Sequence, residues 1–502
     1  MNGQSGQALP LAIMALAIGS LVVAPFLGYA GTDLIGSRVY GEAIAARSAC
    51  DAGVEHAIWS LVKGDLAGQL TQPGDETTYQ LAETINGLNV AITVTANATG
   101  GTAGEITDTV IDTLEFDTAN GYEPSMINVS GDVYAVVYRG PASDGFLKTI
   151  SIDGEGEIGD ATIDTLEFDT SNGYEPSIIN VSGDTYAIAY RGTNAVGYIK
   201  TVTITDDGEI GNSAIDTLEL DDADGYEPAI IQVSGNTYAI AYRGQDNDGF
   251  LKTVYIDTDG HIGNPVIDAL EFDTSSGYGP SIVHVAGDAY AIAYRGAGND
   301  GFLKTVTIDT DGQIGNAVID TLEFDTSNGY EPSMINVAAD TYAIAYRGTN
   351  AVGYTKTVTI TDDGDIAGPV IDSDSFDSPG YEPCIIHVFD DLFAIAYRGP
   401  DDAGYMKTIT ITADGDIAAD AADTLDFEAS GAYDPVIISV TDDIYAIAYR
   451  GPGSDGFIKT AGIAATGSAA IYEIEAAAVG TTIRAFVSID NGVAAIITWQ
   501  IE

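Results

Sequence analysis

Residues 163–214 read IDTLEFDTSNGYEPSIINVSGDTYAIAYRGTNAVGYIKTVTITDDGEIGNSA, and close variants of this stretch occur seven times along the chain. The copies start at Ile111, Ile163, Ile215, Ile267, Ile319, Ile371 and Ala422, spaced by 52 residues five times and then by 51. Self-similarity at a fixed period marks a repeat architecture. Four strands are legible within the period. Pro176–Val181 alternates loosely up to a Gly183-Asp184 turn, and Tyr186-Ala-Ile-Ala-Tyr190 alternates strictly. Strict alternation puts bulky side chains on one face and alanines on the other. Tyr198–Thr205 closes on Asp206-Asp207-Gly208, a hairpin turn in which glycine supplies the positive φ. The run Ile215–Leu220, which opens the next copy, is the fourth strand. Four short antiparallel strands repeated seven times predict a mainly β fold, a seven-bladed β-propeller over residues 105–464. Alanine-lined faces favour blades stacked around an axis over an open solenoid.

The ends of the repeat array predict how the ring closes. The seventh copy has three strands (Pro435–Val440, Ile444–Arg450, Phe457–Ile463), and no strand like IDTLEF follows them. The first copy opens with a surplus strand of that type, Val110–Phe116. Placed at the outer edge of the last blade, this strand gives every blade four and leaves no open edge to invite aggregation. In this scheme residues 105–109 are dispensable to closure.

Both flanks fall outside the repeat. Tyr79–Thr95 carries an Asn86-Gly87 hairpin signal, and the tail from Tyr472 has three strand-like runs with turns at Val479-Gly480 and Asn491-Gly492. Together they predict a small antiparallel sheet, split in sequence by the propeller as an insertion. Upstream, Ala8–Ala30 is 23 residues without a charge, long enough as a helix to cross a hydrocarbon core. Apolar residues then return at three- and four-residue steps (Ile35, Val39, Ala43, Ala46, Ala49, Val54, Ile58, Leu61), with Trp59 and Val62 extending that face. Gly64-Asp65 reads as the stop.

The segments Ser5-Gly6-Gln7-Ala8-Leu9 and Ala49-Cys50-Asp51-Ala52-Gly53-Val54-Glu55, with the apolar run between them, resemble type IV pilin-like proteins, in particular minor pilins with a PilX-type N-terminus. The resemblance covers about the first 65 residues and implies cleavage by a prepilin peptidase after Gly6, leaving Gln7 as the mature N-terminus. It also implies partners among other pilin-like subunits or the pilus assembly machinery. The leader MNGQSG lacks Lys or Arg, and Leu11 stands at the fifth mature position where major pilins carry Glu. That departure points to a minor or initiating subunit. The division that results is a leader (1–6), a transmembrane and amphipathic helix (7–66), a pilin-like head in two parts (67–104 and 465–502) and the inserted propeller (105–464). The location it implies is the cell membrane, single-pass, with the propeller outside, and a place in an extracellular pilus is open.

Net charge is -57, from 18 Lys plus Arg against 75 Asp plus Glu, which excludes nucleic acid as a partner and repels anionic lipid surfaces. With 45% hydrophobic residues the acidity decorates a core and does not signal disorder. Residues 101–460 hold 14 basic residues, two per repeat. They are Arg139, Arg191, Arg243, Arg295, Arg347, Arg398 and Arg450, and Lys148, Lys200, Lys252, Lys304, Lys356, Lys407 and Lys459. One reading is structural: each Arg ends the second strand opposite a Tyr-Glu-Pro and pairs with that Glu, while Lys bridges to acids of a neighbouring strand. Copy four has Gly279 at the Glu position and keeps Arg295. The other reading is a ligand-binding rim, with Tyr122, Tyr174, Tyr226, Tyr278, Tyr330, Tyr381 and Tyr433 around one mouth beside the arginines, suited to a sugar or peptide.

Catalysis finds little footing. His56, His261, His284 and His387 are scattered without metal-ligand spacing, and near-identical blades argue against an asymmetric active site. The Asp-rich turns (Asp257-Thr-Asp-Gly260, Asp309-Thr-Asp-Gly312) are too short for an EF-hand loop and read as hairpin chemistry, with weak Ca2+ binding the alternative. No cofactor is expected. Cys50 and Cys384 read as small buried residues, with a disulfide or metal role as the alternative. The resulting expectation is a non-enzymatic, membrane-anchored, minor-pilin-like protein displaying a propeller for adhesion or for protein or glycan interaction. The alternatives are an exported propeller enzyme acting on glycans and a purely structural surface spacer.

Overall fold

The computed structural model describes residues 34–501 apart from 65, 67–68, 71–74, 99–103, 108, 222, 420, 465–469 and 491–492. Gly6, Gln7 and the apolar run Ala8–Ala30 lie outside the described residues. Among the described residues no helix is long and apolar enough to cross a membrane. The chain divides into two compact units: Met1–Gly101 with Gly467–Glu502, and Thr102–Thr466.

The first unit is one helix on one sheet. Leu34–Lys63 is rich in alanine, the best helix former, and its last turn closes with the Gly64 N–H donating to Ser60 O at 3.1 Å. The sheet is antiparallel, in the order Glu76–Gln80, Ala91–Ala98, Ala470–Ala478, Thr481–Asp490, Val493–Ile501. Its middle joint, Ala91 opposite Ala477 and Val94 opposite Ile474, pairs segments from the two ends of the chain. Ala49, Cys50, Val54, Ala57 and Leu61 pack on Val90, Ile92, Ile474 and Ile483. Gly53 lets the helix come close, because a Cβ there would stand 2.8 Å from Val90 Cγ1 and 3.0 Å from Ala476 Cβ. The expected apolar face is corrected at Trp59, which is 61% exposed, and at Val62, which is half-buried. The buried stripe instead runs through Cys50, Gly53 and Ala57, so the helix is turned toward its small residues. Small side chains permit the close approach, and an indole at that face would hold the backbones apart. Asn86 and Gly87 both have positive φ, as a two-residue hairpin turn requires.

The second unit is a ring of seven four-stranded antiparallel sheets, a β-propeller. One blade runs Tyr174–Ser182, Thr185–Arg191, Gly197–Thr203, Asp216–Asp221 from axis to rim, and the seven innermost strands contact one another in a closed cycle. The alternating second strand supplies the packing. Tyr186, Ile188 and Tyr190 of one blade press on Ala135 and Val137 of the blade before, while Ala187 and Ala189 receive Tyr238, Ile240 and Tyr242 of the blade after. Burying three large side chains per joint stabilises the ring by about 5–9 kcal/mol per joint, taking ~1.5–3 kcal/mol each.

The last blade comprises Tyr433–Ser439, Ile444–Arg450, Gly456–Gly462 and, at its edge, Thr113–Asp117 from the start of the ring. Closure goes further than the surplus strand. Ile106 bridges to Ile463, and the Ala464 N–H donates to Glu105 O at 2.9 Å. Glu105, Ile106 and Thr107 thus bond along the end of the ring, and the Gly104 N–H donates to Ala464 O at 2.9 Å. The physical reason is that Gly104-Glu105-Ile106 stands in for the turn Gly208-Glu209-Ile210 of an ordinary blade. Its φ of +87° at Gly104 matches +86° at Gly208.

Candidate functional site

The residues proposed for the mouth meet because of one bulge per blade. Tyr122 pairs with Arg139 across the first two strands, but the next pair is Ser125 with Val137, so Glu123 and Pro124 stand out of register. Glu123 takes a left-handed φ of +52°, and Glu175, Glu227, Glu331, Glu382 and Asp434 do the same at +51° to +53°. A side chain in that region costs about 1–2 kcal/mol. Its carboxylate recovers the cost. Glu123 accepts from Arg139 Nε at 3.2 Å and Nη2 at 3.1 Å, and from the Glu175 N–H of the next blade at 2.9 Å. The relay repeats from Glu175 to the Glu227 N–H, from Glu227 to the Gly279 N–H, from Glu331 to the Glu382 N–H and from Glu382 to the Asp434 N–H, at 2.8–3.0 Å.

Each guanidinium also lies between two tyrosines. Arg139 is 4.2 Å from the ring of its own Tyr122 and 4.7 Å from Tyr174 of the next blade. The series runs through Arg191, Arg243, Arg295, Arg347 and Arg398 to Arg450, which stands 3.9 Å from Tyr433 and 4.7 Å from Tyr122. Seven arginines and the tyrosines Tyr122, Tyr174, Tyr226, Tyr278, Tyr330, Tyr381 and Tyr433 thus alternate in a closed belt. Cation–π contacts of this kind are worth about 0.5–2 kcal/mol each.

The acid relay, unlike the Tyr–Arg belt, is interrupted at two joints. Gly279 has the same φ, +53°, but no carboxylate, and Arg295 has no hydrogen bond or ion pair among the described residues. Asp434 is one methylene short, and Arg450 Nε is buried without a hydrogen-bond partner. The Asp434 carboxyl is pushed from 3.8 up to about 7 by burial first and then by Glu382 and Glu123, against the pull of Arg450.

A second set of joints lies further out. Lys200 Nζ reaches from the third strand to the rim of the preceding blade, where it donates to Phe168 O at 2.6 Å and to Asp169 Oδ2 at 2.8 Å. Tyr190 OH donates to the same Asp169 oxygen at 2.7 Å. Burial alone would raise the Asp169 carboxyl, but the Lys200 and Tyr190 hydrogen bonds outweigh it and hold the carboxyl below its usual range. Burial and that carboxylate push the Tyr190 hydroxyl well up. Lys407 differs: its hydrogen bond goes to Phe376 O, and no carboxylate stands within ion-pair reach among the described residues.

The sequence reading did not single out the buried threonines. Thr149 Oγ1 donates to Gly208 O in the next blade at 2.6 Å, and all seven Lys-Thr pairs place a Thr this way, ending with Thr408 on Gly104 and Thr460 on Gly156. The Asp near the start of each repeat accepts an N–H from the next turn, Ile210 to Asp164 at 2.8 Å and, at the closure, Ile106 to Asp423 at 2.8 Å. The Lys-Thr dipeptide, repeated seven times, was the available signal.

Of the other sequence candidates, Asp257 and Asp309 direct their carboxylates to turn amides, two N–H groups each at 2.8–3.0 Å. Cys50 and Cys384 lie in different units and both are free thiols, Cys50 buried and Cys384 partly so. His284 and His387 bond to the turn carbonyls Gly287 O and Asp390 O. A cavity of about 150 Å³ opens between two blades where Thr355 and Asp374 replace the usual apolar pair, lined also by Lys407 and Phe376. Thr355 Oγ1 is buried there without a hydrogen bond.

No protein-family model matches the sequence, and no curated protein matches it. Among solved structures, the chain is similar to BBS1N in its complex with ARL6DN (10% identity, TM-score 0.45, covering 73% of this chain and 99% of that one). It is likewise similar to the BP39L lectin of Burkholderia pseudomallei (9%, 0.47, 75% and 99%) and to a protein of unknown function from Dyadobacter fermentans (11%, 0.41, 72% and 99%).

Proposed function

We propose that the chain is a non-enzymatic binding protein that mounts a propeller on a helix-and-sheet unit and binds a protein or glycan at the mouth ringed by the Tyr–Arg belt. The observation that carries this reading is the state of the belt at copy four. Six joints fill the acid position with Glu or Asp, whereas Arg295 stands between Tyr278 and Tyr330 with its donors unspent. There the guanidinium keeps its place between the two rings by cation–π contact alone, which leaves its hydrogen-bonding capacity open to a ligand at the mouth. Splicing Thr102–Thr466 between the neighbouring strands Ala91–Ala98 and Ala470–Ala478 suits display, since the ring carries its own core and closure. Binding of the purified chain to glycan and protein arrays tests the reading, with loss on Arg295→Ala as the expected result. Array binding unaffected by Arg295→Ala would sink it.

The N-terminal resemblance extends the proposal to a minor-pilin-like subunit, anchored by its apolar segment and presented to pilin-like partners. Close packing of Gly53 on the sheet supports that extension, because it gives the Ala-Gly-Val-Glu segment a structural task in a helix-on-sheet head. Mass spectrometry of the mature N-terminus in cells with and without prepilin peptidase is the test. A start at Gln7 only in the presence of the peptidase is expected, and a start at Met1 in both refutes it.

A further inference from the structure

We propose that the gap at Gly279 is a socket for one unbranched aliphatic carboxylate, gripped as the ring's own glutamates are gripped; this rests on the mouth being the binding face. Four other joints, at Glu123, Glu175, Glu331 and Glu382, give the template. A carboxylate at this position takes Arg Nε and Nη2 at 2.8–3.2 Å and one N–H of the following blade at 2.8–3.0 Å. At copy four all of this survives except the acid. The backbone holds φ +53°, and a Cβ at Gly279 would meet nothing within 4 Å, so a side chain would leave the backbone into open space. Arg295 has not collapsed into the space: it stays 3.9 Å from Tyr278 and 4.7 Å from Tyr330. Among the described residues no side chain accepts from the Glu331 N–H, counterpart of the Glu175 N–H that donates to Glu123.

The gap is also reachable. Its two neighbours are the most exposed acids of the paired set, Glu227 at 33% and Glu331 at 37%, against 20–26% for Glu123, Glu175 and Glu382. Charge at this one joint favours an anion, because the Arg295 guanidinium has no carboxylate partner among the described residues. The planar fork of Arg295 selects a carboxylate over a spherical ion, and two methylenes of ligand fill the space that a glutamate chain fills elsewhere. The acid is supplied by a free short-chain carboxylate or by the side chain of a peptide glutamate; the chemistry at Arg295 is the same.

Titration calorimetry of the full chain with propionate, and in a second arm with N-acetylglutamate methylamide, at constant ionic strength, tests the socket. One saturable site per chain is expected. Propionate alone assigns the free acid, and equal or tighter binding of the glutamyl probe assigns the peptide side chain. Gly279→Glu, the residue five other blades already carry, tethers an acid in place and weakens both probes by at least about tenfold. Arg295→Lys, which keeps the charge and loses the fork, weakens them similarly. No saturable binding by the parent chain, or binding undiminished in both variants, overturns the socket. A partner bound at the mouth with unchanged affinity in Gly279→Glu overturns the socket and leaves the binding face standing. Saturable propionate binding in a chain whose array binding ignores Arg295→Ala overturns the partner reading and leaves the socket.

Discussion

Replacing Asp434 by Asn should make the propeller more stable at pH 8 and leave it unchanged at pH 4. The Asp434 carboxyl is raised to about 7 by burial and by Glu382 and Glu123, with Glu331 adding to the same side and Arg450 opposing. An aspartate in the unfolded chain ionises near pH 4. Below that pH both states hold the proton, and the site contributes nothing to the pH dependence. Between about pH 4 and pH 7 the unfolded state loses its proton while the folded state keeps it, so stability falls as pH rises. Above pH 7 the folded chain carries the ionised group at full cost. A shift of about three units corresponds to about 4 kcal/mol, and water at the mouth screens part of it, leaving about 2–4 kcal/mol. Asn copies the protonated form and removes that term. Urea unfolding of both chains at pH 4, 6 and 8 measures it as a difference that opens with pH. Carboxyls held low, such as Asp117 and Asp169, act in the opposite sense: their stabilisation is present above the usual range and lost as pH falls through their folded values. They are common to both chains and cancel. Parallel stability curves, or an Asn variant weaker at pH 8, would refute the reasoning.

Asp423→Ala removes the acceptor of the Ile106 N–H and should cost about 1–3 kcal/mol, with limited proteolysis cutting first near residues 100–110. Asp164→Ala, at an interior joint, should cost the same and leave that segment protected. Gly53→Ala pushes a methyl against Val90 and Ala476 and should destabilise the helix-and-sheet unit by about 1–3 kcal/mol in thermal unfolding, with propeller near-UV signals unchanged. Thr355→Leu restores the apolar residue that Leu147, Leu251 and Leu303 place at the same position. It should raise stability by about 1–2 kcal/mol, read from the urea midpoint, by filling the cavity and removing the unpartnered hydroxyl.

Counting strands was enough to read the ring and its closing partner: a last copy one strand short and a first copy with one extra allow a single pairing, and Thr113–Asp117 makes it. Gly104-Glu105-Ile106 was missed because the repeat was phased to begin at its outer strand, which pushed the preceding turn into the linker. Its likeness to Gly208-Glu209-Ile210 is legible in the sequence. The Arg–Glu pairing followed from hairpin register, as in Arg191 with Glu175 at 3.0 Å. The left-handed backbone beneath those glutamates did not, because local propensity disfavours it and only the carboxylate's long-range bonds hold it there. Gly279 was the one local hint, a residue free of that penalty among six that bear it. Trp59 was placed on the wrong face because apolarity was weighed without size, and the sheet wanted small residues at the helix contact.

The same repetition that makes the fold legible narrows where function can sit. A residue present in all seven copies is required by the ring, since each joint must present one blade's groups to the next. Thr149, Lys148 and Arg139 answer to Gly208, Asp117 and Glu123; among the described residues the threonine bond recurs at seven joints, the lysine–carboxylate pair at six and the arginine–glutamate pair at five. In such a set Arg139 spends its Nε and Nη2 on Glu123, and the Thr149 hydroxyl is spent on Gly208 O. Freedom exists only where a copy departs from the pattern while its neighbours keep it. The fifth blade departs at Thr355 and Asp374, and there the departure opens a cavity between blades. At copy four the acid is gone, the arginine remains, and the vacancy faces the mouth with its neighbours more exposed. Position in the fold, and not residue type, therefore separates Arg295 from the six arginines that sequence alone could not tell apart.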